Sequence, residues 1–192
     1  MKNLLILASG NGSNAENIAT YFANHHEIKV TLIGSNKPDA FVLQRAKKLG
    51  IPTFTFTKQE LTDPLLSSIW RSHHIDYIIL AGFLLKIPSW LIKKYSKKII
   101  NIHPALLPLY GGKGMYGMNV HNAVYENKEE HTGITIHLVN EQYDEGQIIF
   151  QASVALSSTD LPENIAEKIH SLEYNYFPSV IEDYINTHSP DS

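Results

Sequence analysis

Leu4-Leu5-Ile6-Leu7-Ala8-Ser9-Gly10-Asn11-Gly12-Ser13-Asn14 is the stretch whose reading decides the fold. Five consecutive apolar residues suit a strand covered on both faces, as strands of parallel sheets are. Ser9-Gly10-Asn11-Gly12 then breaks the run. Ser13 and Asn14 are N-cap candidates for a helix whose apolar residues Ile18, Ala19, Phe22 and Ala23 recur at helical spacing. Strand, glycine turn and helix together open a βαβ unit. A strand over 29–34, a helix over 39–49 closed by Gly50 and a strand over 51–56 extend it to βαβαβ. A helix over 61–73, with Asp63 and Pro64 as cap and first turn, leads to a strand over 77–81 ended by Gly82. A short helix over 88–95 and a strand over 98–103 follow, and the sheet to this point is expected to be parallel.

In Ile99-Ile100-Asn101-Ile102-His103-Pro104, alternation puts Ile100 and Ile102 on one face and Asn101 and His103 on the other. Pro104 cannot donate to a ladder, so the strand stops and leaves His103 at its carboxyl end, where open α/β sheets hold ligands. Residues 104–118 carry two prolines and four glycines (Gly111, Gly112, Gly114, Gly117) and read as a long loop. Such a loop can hold fixed turns or move as a lid, and mobility over 111–116 is the expectation. A short helix over 120–126 precedes strands over 132–139 and 147–154, which alternate in polarity and form an antiparallel extension around Glu141-Gln142-Tyr143-Asp144-Glu145-Gly146. Residues 161–185 repeat apolar residues at helical spacing, and Pro178 is expected to kink or divide that helix. The polar tail, 187–192, is expected to be disordered. The fold class is therefore α/β: a single-domain, Rossmann-like open sheet, mostly parallel, with an antiparallel extension after the central strands.

Composition narrows the function. The chain has 192 residues, is 43% hydrophobic, and is large enough for a full core. A formal charge of −3 argues against nonspecific nucleic-acid binding, since such proteins carry a basic excess or stripe. The cluster Lys93, Lys94, Lys97 and Lys98 reads as a solvated helix end. The absence of cysteine excludes disulfides and thiolate metal sites and fits a cytoplasmic setting. The opening apolar run is too short for a membrane span. The start reads as mature protein, with no leader.

Gly10-Asn11-Gly12-Ser13-Asn14 offers backbone N–H groups and the positive end of a helix to a phosphate, although a plain tight turn is an equal reading of the glycines alone. The third glycine of the dinucleotide fingerprint and the Lys of a P-loop are both missing, so a phosphomonoester fits better than NAD or ATP. Asn101 and His103 suit amide-donor and acid/base roles at one carbonyl oxygen, while an isolated His at a strand end is more often structural. Asp144 could hold His103 charged, with Glu141 and Glu145 as competitors. His25-His26, His73-His74, His131 and His137 show no metal-ligand spacing, and no GxSxG elbow occurs.

The ordered set Gly10-Asn11-Gly12-Ser13-Asn14, Leu80-Ala81-Gly82-Phe83, Asn101-Ile102-His103-Pro104-Ala105-Leu106-Leu107-Pro108, Gly133-Ile134-Thr135-Ile136-His137 and Asp144-Glu145-Gly146 resembles the phosphoribosylglycinamide formyltransferases, over residues 4–185. The resemblance implies formyl transfer from 10-formyltetrahydrofolate, a co-substrate, to the amine of glycinamide ribonucleotide in purine biosynthesis, with no permanently bound cofactor or metal. It implies a catalytic domain over residues 1–186, catalytic Asn101, His103 and Asp144, and a ribonucleotide site of Gly12, Ser13, Asn14 and Glu173. The folate would lie on Phe83, Leu84, Leu85, Ile87, Val139, Asn140 and Tyr143. Leu85 and Lys86 stand where relatives often carry an Arg. Small-molecule substrates are the expected partners, without nucleic acid or membrane, and a homodimer is compatible. Formyltetrahydrofolate deformylase, another formyltransferase and a noncatalytic folate- or nucleotide-binding module are the alternatives. The deformylase usually carries an extra N-terminal domain, and methionyl-tRNA formyltransferase, the other formyltransferase weighed, an extra C-terminal one.

Overall fold

The computed structural model describes residues 1–188. The chain forms two compact units, Met1–Asn101 and the part from Ile102 onward. The strand order is β3-β2-β1-β4-β5-β6-β7, a mixed, mostly parallel sheet with an antiparallel pair at its end, which is the expected fold class.

In the first unit, β1 (Lys2–Leu7) runs parallel to both β2 (Ile28–Ser35) and β4 (Ile75–Leu80). Leu4, Leu5, Ile6 and Leu7 are wholly buried. Side chains on both faces of one strand can lose their water only if both faces are covered. At roughly 1.5–3 kcal/mol each, these four make β1 a large contributor to the core. β3 (Thr53–Thr55) pairs with β2. α1 (Ser13–Tyr21) and α2 (Phe41–Lys48) supply Ile18, Val42 and Ala46 to the buried side.

The helix expected over 61–73 is not one helix. Thr57 and Glu60 form a capping box that starts α3 (Lys58–Leu61) early, and Pro64, lacking an N–H, ends the ladder there. Two 3-10 turns follow, Pro64–Ser68 and Arg71–His73, and the first is capped by the Asp63 carboxylate as expected. α4 (Ser89–Lys94) leads into β5 (Ile99–His103), whose first three residues pair in parallel with β4.

In the second unit, a loop without helix or strand runs from Pro104 to Gly117, as expected, and leads to α5 (Met118–Glu126). β6 (His131–Leu138) and β7 (Ile148–Ala155) are antiparallel. α6 (Pro162–His188) packs on both strands and on α5. Pro178 lies inside α6 without dividing it; the residue is buried, and packing around it outweighs the lost hydrogen bond. Thr187 and His188, expected in the tail, belong to this helix, and Thr187 Oγ1 donates to the Asp183 carbonyl at 2.7 Å. The rest of that tail lies outside the described residues.

Candidate active site

His103 ends β5 and is 3% exposed. Its Nε2 lies 2.7 Å from the Tyr110 carbonyl. A carbonyl only accepts, so Nε2 carries a proton and Nδ1 is the nitrogen left for chemistry. Nδ1 faces Asp144 Oδ2 at 3.6 Å. Asp144 Oδ1 faces His137 Nε2 at 3.7 Å, and His137 Nδ1 donates to the Leu138 carbonyl at 2.9 Å. The carboxylate thus sits between two imidazoles. Each has its far nitrogen committed to a backbone oxygen and its near nitrogen turned toward Asp144. The His137 side chain and the Gly112 N–H both act on the Asp144 carboxylate as hydrogen-bond partners.

Backbone builds this arrangement. Asp144 has φ 56° in the turn between β6 and β7, and the Gly112 N–H donates to its Oδ2 at 2.9 Å. Two residues on, a Cβ at Gly146 would run into the Leu138 carbonyl, so only glycine lets this turn pass so close over the end of β6. Behind His103, wholly buried Thr135 donates to the Ala105 carbonyl at 2.7 Å and accepts from the Leu107 N–H and Gln151 Nε2, each at 2.9 Å. That network pins the chain just after β5.

Burial pushes the His103 imidazole below its ordinary pKa; Asp144, the Tyr110 carbonyl and Glu173 oppose this, and His137 adds to it. Asp144 acts on His103 in the expected direction, favouring the charged ring, while desolvation of a nearly closed ring is the larger influence and sets the net downward direction. Burial raises Asp144, but His137, His103 and the Gly112 N–H outweigh it and hold the carboxyl below its usual range. His137 and Gly112 act on Asp144 without help from a charged His103, so the carboxylate stays ionised beside a neutral one. Glu173, half-buried on α6, acts electrostatically on His103 and on buried His121 of α5, and lies 3.5 Å from His170. Among the described residues, no cluster of three or more His, Cys, Asp or Glu is arranged to hold a metal ion.

Of the other expected residues in this unit, Val139 is half-buried, and Asn140 and Tyr143 are exposed on the β6–β7 turn, where Asn140 Nδ2 donates to the Glu145 carbonyl at 3.2 Å. Glu141 is exposed and Glu145 is exposed, so Asp144 is the carboxylate that meets His103.

The first unit holds the remaining expected residues. Half-buried Asn101 lies two residues before His103 on β5 and pairs in register with Leu80. The N-cap of α1 is Gly12 in left-handed conformation (φ 77°), with no capping side chain, rather than Ser13 or Asn14. A Cβ there would collide with Val42, because α2 packs directly under the turn. Arg45 binds the Asn11 carbonyl at 2.9 Å, Asn11 Oδ1 at 2.8 Å and the Glu16 carboxylate, so its fork fixes the turn and offsets an acidic charge beside it. Ser9 Oγ accepts from the Leu84 N–H at 2.9 Å and donates to Asn36 Oδ1 at 2.6 Å, tying the turn after β1 to the segment after β4. On that segment Ile87 is buried, Phe83 and Leu85 are half-buried and Leu84 is exposed.

Tyr110, Gly112, His137, Thr135, Ser9 and Arg45 escaped the sequence reading. For His137 a signal existed: Gly133, Thr135 and His137 alternate onto one face of a strand. For Tyr110 and Gly112 none did, because they act through backbone atoms.

A histidine–carboxylate pair at the carboxyl end of a strand is a geometry suited to acid/base chemistry. A family model described as Formyl transferase matches residues 2–181, and the chain belongs to that family. Among curated relatives, phosphoribosylglycinamide formyltransferase of Bacillus subtilis is 36% identical over 95% of this chain and 94% of its own length. The chloroplastic phosphoribosylglycinamide formyltransferase of Arabidopsis thaliana is 38% identical over 94% of this chain, which spans 64% of that relative's length. The crystal structure of phosphoribosylglycinamide formyltransferase from Streptococcus pneumoniae superposes with a TM-score of 0.84 at 32% identity, covering 95% of this chain and 98% of that one. No helix among the described residues is long and apolar enough to cross a membrane.

Proposed function

We propose that the protein transfers the formyl group of 10-formyltetrahydrofolate to the primary amine of glycinamide ribonucleotide. The observation that carries this reading is the Asp144 carboxylate held between His103 Nδ1 at 3.6 Å and His137 Nε2 at 3.7 Å. The amine reaches the protein largely as an ammonium and must lose a proton before it can attack. Neutral His103 presents Nδ1 as the acceptor, and Asp144 stabilises the imidazolium that forms. The amine nitrogen then bonds to the formyl carbon, and the carbonyl oxygen becomes an oxyanion. The Nδ1–H of His103 and the amide of Asn101 stabilise it, a contribution worth about 10²–10³-fold per donor. Collapse breaks the bond to folate N10, which takes up the proton that the attacking nitrogen loses, relayed through Asp144 or water, and the proton held by His103 is released to solvent. A resting neutral imidazole suits this sequence better than a permanently charged one, because it serves first as base and then as donor.

The ribonucleotide phosphate is assigned to Gly12, Ser13 and Asn14, where no side chain occupies the cap of α1 and Arg45 neutralises Glu16. Glu173 is assigned to the glycinamide end. Phe83, Leu84, Leu85, Ile87, Val139, Asn140 and Tyr143 are assigned to the folate, a co-substrate rather than a resident group. A homodimer and a cytoplasmic location remain part of the reading.

The test is formyl consumption by purified protein given 10-formyltetrahydrofolate with glycinamide ribonucleotide, with water alone, or with charged initiator tRNA. Fast consumption only with the ribonucleotide is expected. Equal consumption in water would make the protein a deformylase.

A further inference from the structure

Tyr110 has φ 55°, a conformation that costs a side-chain-bearing residue about 1–2 kcal/mol, although glycines at 111 and 112 follow immediately. Glycine would take that backbone at no steric cost, so the tyrosine ring must do something there that glycine cannot. Its hydroxyl donates to Glu129 Oε1 at 2.6 Å, and its carbonyl is the atom 2.7 Å from His103 Nε2. Two residues further on, the Gly112 N–H holds Asp144. Residues 110–112 therefore touch both members of the catalytic pair through backbone atoms.

Glu129 is well placed as an anchor. It lies between the end of α5 and the start of β6; its N–H donates to the Val124 carbonyl at 3.3 Å, and the neighbouring Glu130 carbonyl accepts from Leu156. Burial, with Glu129 adding, pushes the Tyr110 phenol up to about 12, so it remains a donor throughout the range in which a formyl transferase works.

We infer that Tyr110 and Glu129 are positioning residues for His103: the hydroxyl–carboxylate bond holds the Tyr110 carbonyl on Nε2 and thereby keeps Nδ1 turned toward Asp144. The ring cannot rotate about its bonds, or move its proton to Nδ1, without giving up that carbonyl. The inference rests on the proposed formyl transfer for its kinetic test but not for its spectroscopic one. It also gives the glycine-rich loop a fixed root beside the catalytic pair, whatever its outer residues do.

The experiment uses the full chain, labelled with ¹⁵N at histidine, together with the variants Tyr110→Phe, Glu129→Gln and Glu129→Ala. Imidazole ¹⁵N shifts report the tautomer of His103 without any substrate. In the wild type His103 should be protonated at Nε2, whereas Tyr110→Phe and Glu129→Ala should show a mixture of tautomers. In the transfer assay Tyr110→Phe should lower kcat about 10- to 30-fold, as a misaligned acid/base group does, with KM for both substrates within about twofold. Glu129→Gln keeps an acceptor oxygen and should retain most of kcat. Tyr110→Phe/Glu129→Ala should be no slower than Tyr110→Phe alone, because both remove one bond. Should Tyr110→Phe fail to fold, Glu129→Ala provides the same readouts. Wild-type kcat and an unchanged tautomer in these variants would overturn the inference, as would multiplicative losses in the double variant. A tautomer shift in a protein that transfers no formyl group to the ribonucleotide would sustain the inference and defeat the proposed function.

Discussion

Asp144→Asn isolates the electrostatic contribution of the carboxylate, because the amide keeps its shape and its Oδ atom can still accept from the Gly112 N–H. At 3.6 Å from His103 Nδ1, a unit charge attracts an imidazolium by about 4–5 kcal/mol at an effective dielectric constant of about 20. Part of that attraction survives the substitution, because the oxygen that accepts from the Gly112 N–H still turns its dipole toward His103 Nδ1. At about 1.4 kcal/mol per tenfold, the loss visible in turnover should be on the order of 10²–10³ in kcat. KM for the ribonucleotide should change little, because the contribution appears only once His103 has taken the proton. The imidazole, already below its ordinary pKa, should fall further, moving the acid limb of the kcat profile to lower pH. Glu141→Gln, at an exposed residue of the same turn, should leave kcat within about twofold, near the weak limit of solvated charges. The assay is steady-state transfer from pH 5.5 to 9 for both variants. Full kcat in Asp144→Asn, or a larger loss in Glu141→Gln, would refute the assignment of the carboxylate.

Three further outcomes are expected. His103 and His121 have folded pKa values below their unfolded ones, so the unfolded chain binds the extra protons; their contribution is complete above about pH 6.5 and is lost as pH falls through the folded values, opposed weakly by His170, which is raised by Glu173. The urea midpoint should therefore decline between pH 7 and pH 5, and a flat midpoint would contradict the burial of these rings. Gly12→Ala should cost about 2–4 kcal/mol in chemical denaturation, from the left-handed backbone together with the collision at Val42, and should raise KM for the ribonucleotide more than for the folate. His121, buried with Nδ1 lacking a hydrogen-bond partner, should tolerate Leu with little loss or a small gain in Tm, because a desolvated polar atom is removed; a loss above about 3 kcal/mol would show that the imidazole is held by an interaction other than packing.

The strands and the antiparallel pair were legible because uninterrupted or alternating apolar runs have few other folded uses. The position of Asn101 and His103 two apart on one strand was legible in the same way. Asp144 was separated from Glu141 and Glu145 only by resemblance; the structure adds that it alone among the three is drawn in toward His103. The break after Leu61 was readable in principle, since Thr57 and Glu60 stand three apart and Pro64 follows, but the apolar periodicity across 61–73 masked it. The net downward direction of the His103 pKa was not legible, because composition cannot show how completely a strand end is covered. Tyr110 and Gly112 contribute a carbonyl and an N–H, which every residue possesses, so no alphabet of side chains could have marked them.

β1 also sets the order in which the first unit can be made. It lies between β2 and β4, and Asn3 must wait for Ile75 before its second edge is paired. At a ribosomal pace of about 5–20 residues per second, the intervening stretch of about seventy residues takes roughly 4–15 s. During that time a strand apolar on both faces has one edge open to any passing chain. The segment that makes the fold readable is thus also the one left with an unpaired edge until β4 has been made.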